Sequence, residues 1–181
     1  MYLLRRILRY GEIYTKYNHI INSIITFIDN ETTKTSISIS GDYLLLTGSG
    51  ETKEEIGKCI VYTGSDTLWI GGDIILIKPK RNIYSVFLSY LINSECIRVQ
   101  REMLGKGEII VHIYSKNFKE MRYPIPPLQE QQQIVKYLDE QTIIIDTTIT
   151  KEQKRIVLLK EYRQSLISEV VTGKIKVTTV E

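Results

Sequence analysis

The stretch TGSGETKEEIGKC, Thr47 to Cys59, holds residue types that could do chemistry. Its glycines, hydroxyls and lysine invite comparison with a phosphate cradle. A P-loop needs four residues between its first glycine and Gly-Lys, then Ser or Thr to hold magnesium. Here six residues separate Gly50 from Gly57-Lys58, and Cys59 follows. The spacing fails and the metal ligand is absent. A polar loop between two strands fits better, and Thr47, Ser49, Thr52 and Lys53 are suitable donors for phosphates and base edges.

Other chemistry is equally incomplete. Asp42 and Glu51 could begin a nuclease metal site, but they fall at a strand start and in a glycine loop, and no third acid is indicated. His19 and His112 have no paired Ser or Cys nucleophile, so a satisfied structural histidine is the simpler explanation for each. His112 is expected to share a strand face with Ile110 and Tyr114. Cys59 and Cys96 lack CxxC spacing and read as two reduced thiols. There is no glycine-rich cofactor fingerprint. The expectation is a protein with no catalytic residues, no metal site and no cofactor of its own.

The N-terminal stretch offers binding instead. Arg5, Arg6, Arg9 and Lys16 alternate with Tyr2, Tyr10, Tyr14 and Tyr17. Cations interleaved with aromatics suit nucleic acid. The rival explanation is an edge strand whose arginines discourage aggregation. Overall charge does not decide, because 24 Lys plus Arg against 21 Asp plus Glu leave only +3. The opening MYLLRRILRYGE is interrupted by arginines and lacks a small-residue cleavage site. TIIIDTTIT is too short to span a bilayer and carries Asp146. A cytoplasmic protein without membrane contact is expected.

These residues need a scaffold, and the first two thirds read as α+β with a mixed or antiparallel sheet. TSISIS (35–40) alternates with period two, as a half-buried strand does. DYLLL, CIVY and DIILI are short apolar runs bounded by Gly or Asp, as buried strands are. From Ser85 to Met103 the period lengthens, and Val86, Phe87, Tyr90, Leu91, Ser94 and Ile97 line one helical face. GKG (105–107) then breaks the chain before a further predicted strand, EIIVHIY (108–114).

At Tyr123 the character changes, which predicts a domain 1–122 and a second segment 123–181. Pro124, Pro126 and Pro127 favour extended backbone and then a helix start. Leu128, Ile134, Val135 and Leu138 give the first helix an apolar face, with a weak point at Asp139 to Thr142. A longer helix from Thr142 to Val171 would extend about 45 Å at ~1.5 Å per residue. Ile145, Ile149, Ile156, Leu159, Leu166 and Val170 follow a heptad seam that Glu152 and Arg163 interrupt. Thr172-Gly173-Lys174 is a credible stop. With no Pro or Gly to fold it back, this coiled-coil spacer is expected to need a partner helix.

YPIPPLQEQQQIVKYLDEQ, then Ile145-Asp146, then LLKEYRQSLISEVVTGKIKV resemble, in order, the conserved helical region of the specificity (S) subunit of type I restriction–modification systems. Upstream, RYGEIYTKYN, GDYLLLTGSGETKEEIGK, GGDIILIKP and GKGEIIVHIY are similar to one class of that family's target recognition domains.

The resemblance implies a non-catalytic, sequence-specific reader of one half of a bipartite site in double-stranded DNA. Its implied partners are the methyltransferase (M) and restriction (R) subunits, which use S-adenosylmethionine, ATP and Mg. It implies candidate DNA contacts at Tyr14, Thr15, Lys16 and Asn18, at Thr47, Ser49 and Lys53, and at Lys106. It implies a partner-helix interface along Leu138, Ile145, Ile149, Ile156, Leu159, Leu166 and Val170, for a second half-subunit or a second copy. Half-sites one duplex turn apart lie ~34 Å from each other, which a long helix can span. The family's full subunit carries two recognition domains and two helical regions, and this sequence matches one of each. Met1 falls almost on a predicted strand. A half-subunit is therefore expected, with a truncated or silent fragment, a piece of a fused restriction–methylation enzyme, or a cryptic nuclease around Asp42 and Glu51 as rivals.

Overall fold

The computed structural model describes residues 4–29, 31–107 and 109–177. Tyr2 and Glu108 lie outside the described residues. The chain divides into two compact units, Met1–Val135 and Lys136–Glu181.

The first unit is α+β, built on two mixed four-stranded sheets. In chain order its elements are β1 (Arg5–Leu8), α1 (Tyr10–Thr15), β2 (Ile20–Ile21), β3 (Phe27–Ile28), a 3-10 turn (Thr32–Thr35), β4 (Ile37–Ile39), β5 (Tyr43–Thr47), β6 (Ser49–Gly50), β7 (Cys59–Tyr62), β8 (Leu68–Ile70), β9 (Ile74–Ile77), α2 (Ser85–Asn93), α3 (Glu95–Leu104), β10 (Val111–His112), α4 (Ser115–Glu120) and the start of α5 (Leu128–Val171). One sheet runs β3-β1-β8-β4 and the other β2-β7-β5-β9, with β10 and β6 forming a short ribbon. The β1–β8 and β2–β7 pairs are parallel, and the other pairs are antiparallel.

The two cores explain why the central strands read as unbroken apolar runs. Leu44, Leu46, Cys59 and Val61 face a core completed by α2, Ile97 of α3, Phe118 of α4 and Val135 of α5. Leu45, Ile60 and Tyr62, from the same two strands, face a second core with Leu8, Ile39, Leu68 and Ile70 of the other sheet. A sheet covered on both faces has no polar side to show, so alternation disappears.

Three expectations are corrected. The helix expected from Ser85 to Met103 is two helices, because the chain is extended at Ser94 (φ −68°, ψ 156°). Ser94 Oγ donates to the Leu91 carbonyl at 2.6 Å, so the hydroxyl finishes one helix as the next begins. The strand expected over 108–114 shrinks to Val111–His112, the two residues that reach β6. Ile109 and Ile110, beside them, are exposed. The weak point at Asp139 to Thr142 does not exist: α5 is one helix of 44 residues, about 66 Å long at ~1.5 Å per residue.

The prolines and glutamines before and within α5 have a packing reason. Gln131 is 0% exposed. Its Oε1 accepts the Tyr84 amide at 2.8 Å, and its Nε2 donates to the Pro126 carbonyl at 2.8 Å. Val135, one turn later, is buried in the first core. The strap and the first two turns of α5 therefore belong to the first unit.

In the second unit, α5 continues from Lys136 to Val171. Ile145, Ile149, Ile156, Leu159 and Leu166 are exposed along it, and Leu138 and Val170 are partly exposed. Gly173 (φ 76°) ends the helix as expected, with Lys174 N–H bonded to the Glu169 carbonyl. No helix of the described residues is long and apolar enough to cross a membrane.

Candidate nucleic-acid interface

The candidate interface begins with α1. YGEIYT is a poor helix on propensity, since it carries glycine, two tyrosines and threonine. Glu12 holds it. The buried carboxylate accepts the Arg9 amide at 3.0 Å and the Lys16 ammonium at 2.7 Å, and it also accepts the Thr26 hydroxyl. Burial alone would raise the Glu12 carboxyl. The bonds from Lys16, Thr26 and Arg9 outweigh it and hold the group below its ordinary value.

Tyr14 fixes the other side of α1. Its hydroxyl lies 2.7 Å from Thr47 Oγ1 and 2.8 Å from the Ser49 carbonyl oxygen. A carbonyl can only accept, so Tyr14 donates to Ser49 and receives the Thr47 hydroxyl proton. Burial pushes the Tyr14 phenol up, and the Thr47 bond opposes it. Helix, strand end and ribbon are thereby tied at one point. Ser49 Oγ also lies 3.3 Å from His112 Nδ1 across that ribbon.

The sequence-derived candidates sort themselves by exposure. Thr47 is 0% exposed and Ser49 is buried, so they are not surface donors: they position Tyr14. Lys16 is exposed but tethered to Glu12. Thr15 and Asn18 are exposed at the end of α1, although the Thr15 hydroxyl donates to the Gly11 carbonyl at 3.0 Å. Lys53 is exposed on the loop after β6. The Lys106 side chain is exposed, whereas its amide is already bonded to the His112 carbonyl at 3.0 Å. The Gly105 amide is likewise bonded, to the Arg101 carbonyl at 2.8 Å. Gly107 in the same turn has φ 126°, and a Cβ on it would lie 2.0 Å from the Ile110 carbonyl oxygen.

Two hollows flank Tyr14 and Glu55, which line both. One, of about 410 Å³, gathers Tyr10, Thr15, Ser49, Glu51 and Ile110 from α1, the ribbon and its loops. The other, of about 350 Å³, gathers Asn18, Lys58, Asn93 and Arg101. Sequence reasoning missed Lys58 and Arg101. Lys58 Nζ donates to the Tyr14 and Tyr17 carbonyls at 3.3 and 3.2 Å. Burial lowers its ammonium. Its position directly after Gly57 was the available signal.

Among the described residues, no group of three or more His, Cys, Asp and Glu side chains could hold a metal ion. Asp42 accepts the Ser85 hydroxyl at 3.4 Å. Burial pushes the Cys59 thiol up to about 12, which keeps it protonated and a weak nucleophile at neutral pH.

Residues 8–160 match the family described as type I restriction modification DNA specificity domain. The chain is similar to the type I restriction enzyme EcoKI specificity subunit of Escherichia coli K12, at 26% identity over 83% of this chain and 32% of that protein. It is similar to the StySPI specificity subunit of Salmonella potsdam, at 24% identity over 82% of this chain and 32% of that protein. It is also similar to a putative type I specificity subunit, MjaX, of Methanocaldococcus jannaschii, at 30% identity over 62% of this chain and 25% of that protein. The chain spans about a third of the length of the first two relatives. With the family match covering the unit around Tyr14 and most of α5, the chain belongs to the type I restriction modification DNA specificity domain family.

Proposed function

We propose that this chain is a non-catalytic DNA-recognition component of a type I restriction–modification complex. It reads one half of a bipartite target through the surface around α1, the β6 loop and the Lys106 turn. The observation that carries this reading is the convergence of α1, β6 with its loop, and Ile110 beside β10 around one hollow, within a chain of this family. Thr15, Asn18, Lys53 and the Lys106 side chain are the contacts available on that surface. Thr47 and Ser49 hold Tyr14 behind it. Loops on a rigid scaffold are where recognition usually resides.

The exposed seam of α5 supports the second half of the proposal. Isoleucines and leucines on solvent at heptad spacing favour a partner helix, from a second half-subunit or a second copy, beside which an M subunit docks. The chemistry, and with it S-adenosylmethionine, ATP and Mg, belongs to the M and R subunits.

The test is a methylation map. The chain is expressed with its cognate M subunit in a host free of other adenine methylation, and modified adenines are located genome-wide. A palindromic motif with a fixed gap is expected from paired copies. An asymmetric motif would mean that a different recognition half has joined. No methylation, with soluble M subunit present, would defeat the proposal.

A further inference from the structure

Arg101 is 3% exposed, yet among the described residues it forms no ion pair. One guanidinium nitrogen donates to the Ile56 carbonyl at 2.8 Å. Its Nε is buried and, among the described residues, has no hydrogen-bond partner. Taking a guanidinium out of water without a counter-charge is costly, and a buried cation normally has an acid or an anion beside it. The site has been shaped to admit it. Gly57 has φ 71°, and a Cβ there would come within 3.1 Å of Arg101 Cδ and 3.0 Å of the Phe118 ring.

Arg101 lines the 350 Å³ cavity. Lys58 shares its wall, and among the described residues its ammonium bonds only the Tyr14 carbonyl of α1 and the Tyr17 carbonyl just beyond it. Arg98, also in the wall, is already neutralised by Glu95 and Glu102. The Asn93 amide is spent on both backbone groups of Cys59. Two cations without a bonded acid therefore remain at the cavity, with exposed Asn18 as a neutral donor. Glu54 and Glu55 also line the cavity, on an exposed turn, and they oppose an incoming anion without bonding to either cation.

We propose that this cavity binds a phosphate group, with Arg101 and Lys58 as its cationic wall and Asn18 as a further donor. The phosphate supplies the counter-charge that Arg101 lacks. It can come from a DNA backbone, in which case the site rests on the recognition reading above, or from free phosphate, in which case it does not.

The test uses the full chain and two readouts. The first is 31P line broadening of inorganic phosphate. The second is the salt dependence of binding to duplex DNA. Arg101→Met risks the fold, so Lys58→Met is the main probe, and near-UV circular dichroism confirms that it is folded. Phosphate affinity is expected to fall at least about tenfold in Lys58→Met and to rise in Glu54→Gln/Glu55→Gln, which a merely structural Lys58 would not produce. If the source is DNA, Lys58→Met also weakens all sequences alike and reduces the salt slope by about 0.9. Lost phosphate binding with an unchanged slope assigns the site to free phosphate. A chain that binds phosphate but no duplex contradicts the recognition reading and leaves this site standing. Lys58→Met that changes neither readout overturns the proposal.

Discussion

Gln131 Oε1 accepts the backbone amide of Tyr84 at 2.8 Å, across 47 residues of sequence. Tyr84 is the N-cap of α2, and its own side chain makes no capping bond. Gln131 therefore acts at the mouth of a helix to which it does not belong. Gln131 Nε2 donates to the Pro126 carbonyl and, at 3.4 Å, to the Asn82 carbonyl. A neutral side-chain amide can accept from an N–H and donate to two carbonyls at once, which a carboxylate of the same shape cannot.

Gln131→Leu should lower the stability of the globular unit by about 1–2 kcal/mol, since it leaves a part-buried N–H and a part-buried carbonyl unpaired. Gln131→Glu should cost at least as much, because a carboxylate keeps the Tyr84 bond but cannot donate to Pro126. Urea unfolding of both variants measures this. A Glu variant as stable as the native chain would show that the carbonyl bonds contribute nothing.

Tyr14→Phe should destabilise by about 1–2 kcal/mol, because the Ser49 carbonyl loses its donor and the Thr47 hydroxyl its acceptor. Thr47→Val should cost a comparable amount. The double variant should cost less than the sum, since both remove one bond. Strict additivity would mean that the two hydroxyls do not interact. Duplex binding should weaken in parallel, as α1 loses its fixed position.

The strands around this site were legible in the sequence for a physical reason. CIVY and DYLLL are buried on both faces, so each is a compact apolar run whatever its neighbours do. The helix α1 was not legible, because Gly11 and the tyrosines argue against it and Glu12 holds it through Thr26, a residue on another segment. Thr47 and Ser49 looked like surface donors because hydroxyls in a glycine loop usually are. Tyr14, 33 residues away from Thr47, covers them. Arg101 was invisible for the same kind of reason: its burial depends on Gly57 and Ile56, 45 residues upstream of it in the latter case. Partners set by long-range packing leave no local pattern.

Glu12 gives an acid-limb prediction. Its folded value lies below its ordinary 4.5, so the unfolded chain binds its proton more tightly. The stabilisation is complete above that ordinary value and is lost as pH falls through the lower folded one. Glu12→Gln should therefore be less stable than the native chain at neutral pH, and its stability should fall less steeply on acidification. Thermal unfolding between pH 7 and pH 3 reads both effects. Parallel curves for the two proteins would contradict the assignment.

The seam of α5 supplies the last prediction. Ile149 and Ile156 stand seven residues apart on one face and are about half exposed, at 48% and 51%. Fully burying an Ile side chain contributes about 1.5–3 kcal/mol. If a partner helix covers both, Ile149→Lys with Ile156→Lys should weaken association by at least about a hundredfold, whether the partner is a second copy or another half-subunit. Thr147→Lys, on the opposite face of the heptad, should leave association intact. None of these changes touches either core of the first unit, so its unfolding should shift by no more than about 0.5 kcal/mol. Analytical ultracentrifugation with urea unfolding separates the two effects. A seam variant that associates as tightly as the native chain would remove the heptad face from the interface. It would direct attention to Ile143, Val157 and Leu158, which are exposed elsewhere around the same helix.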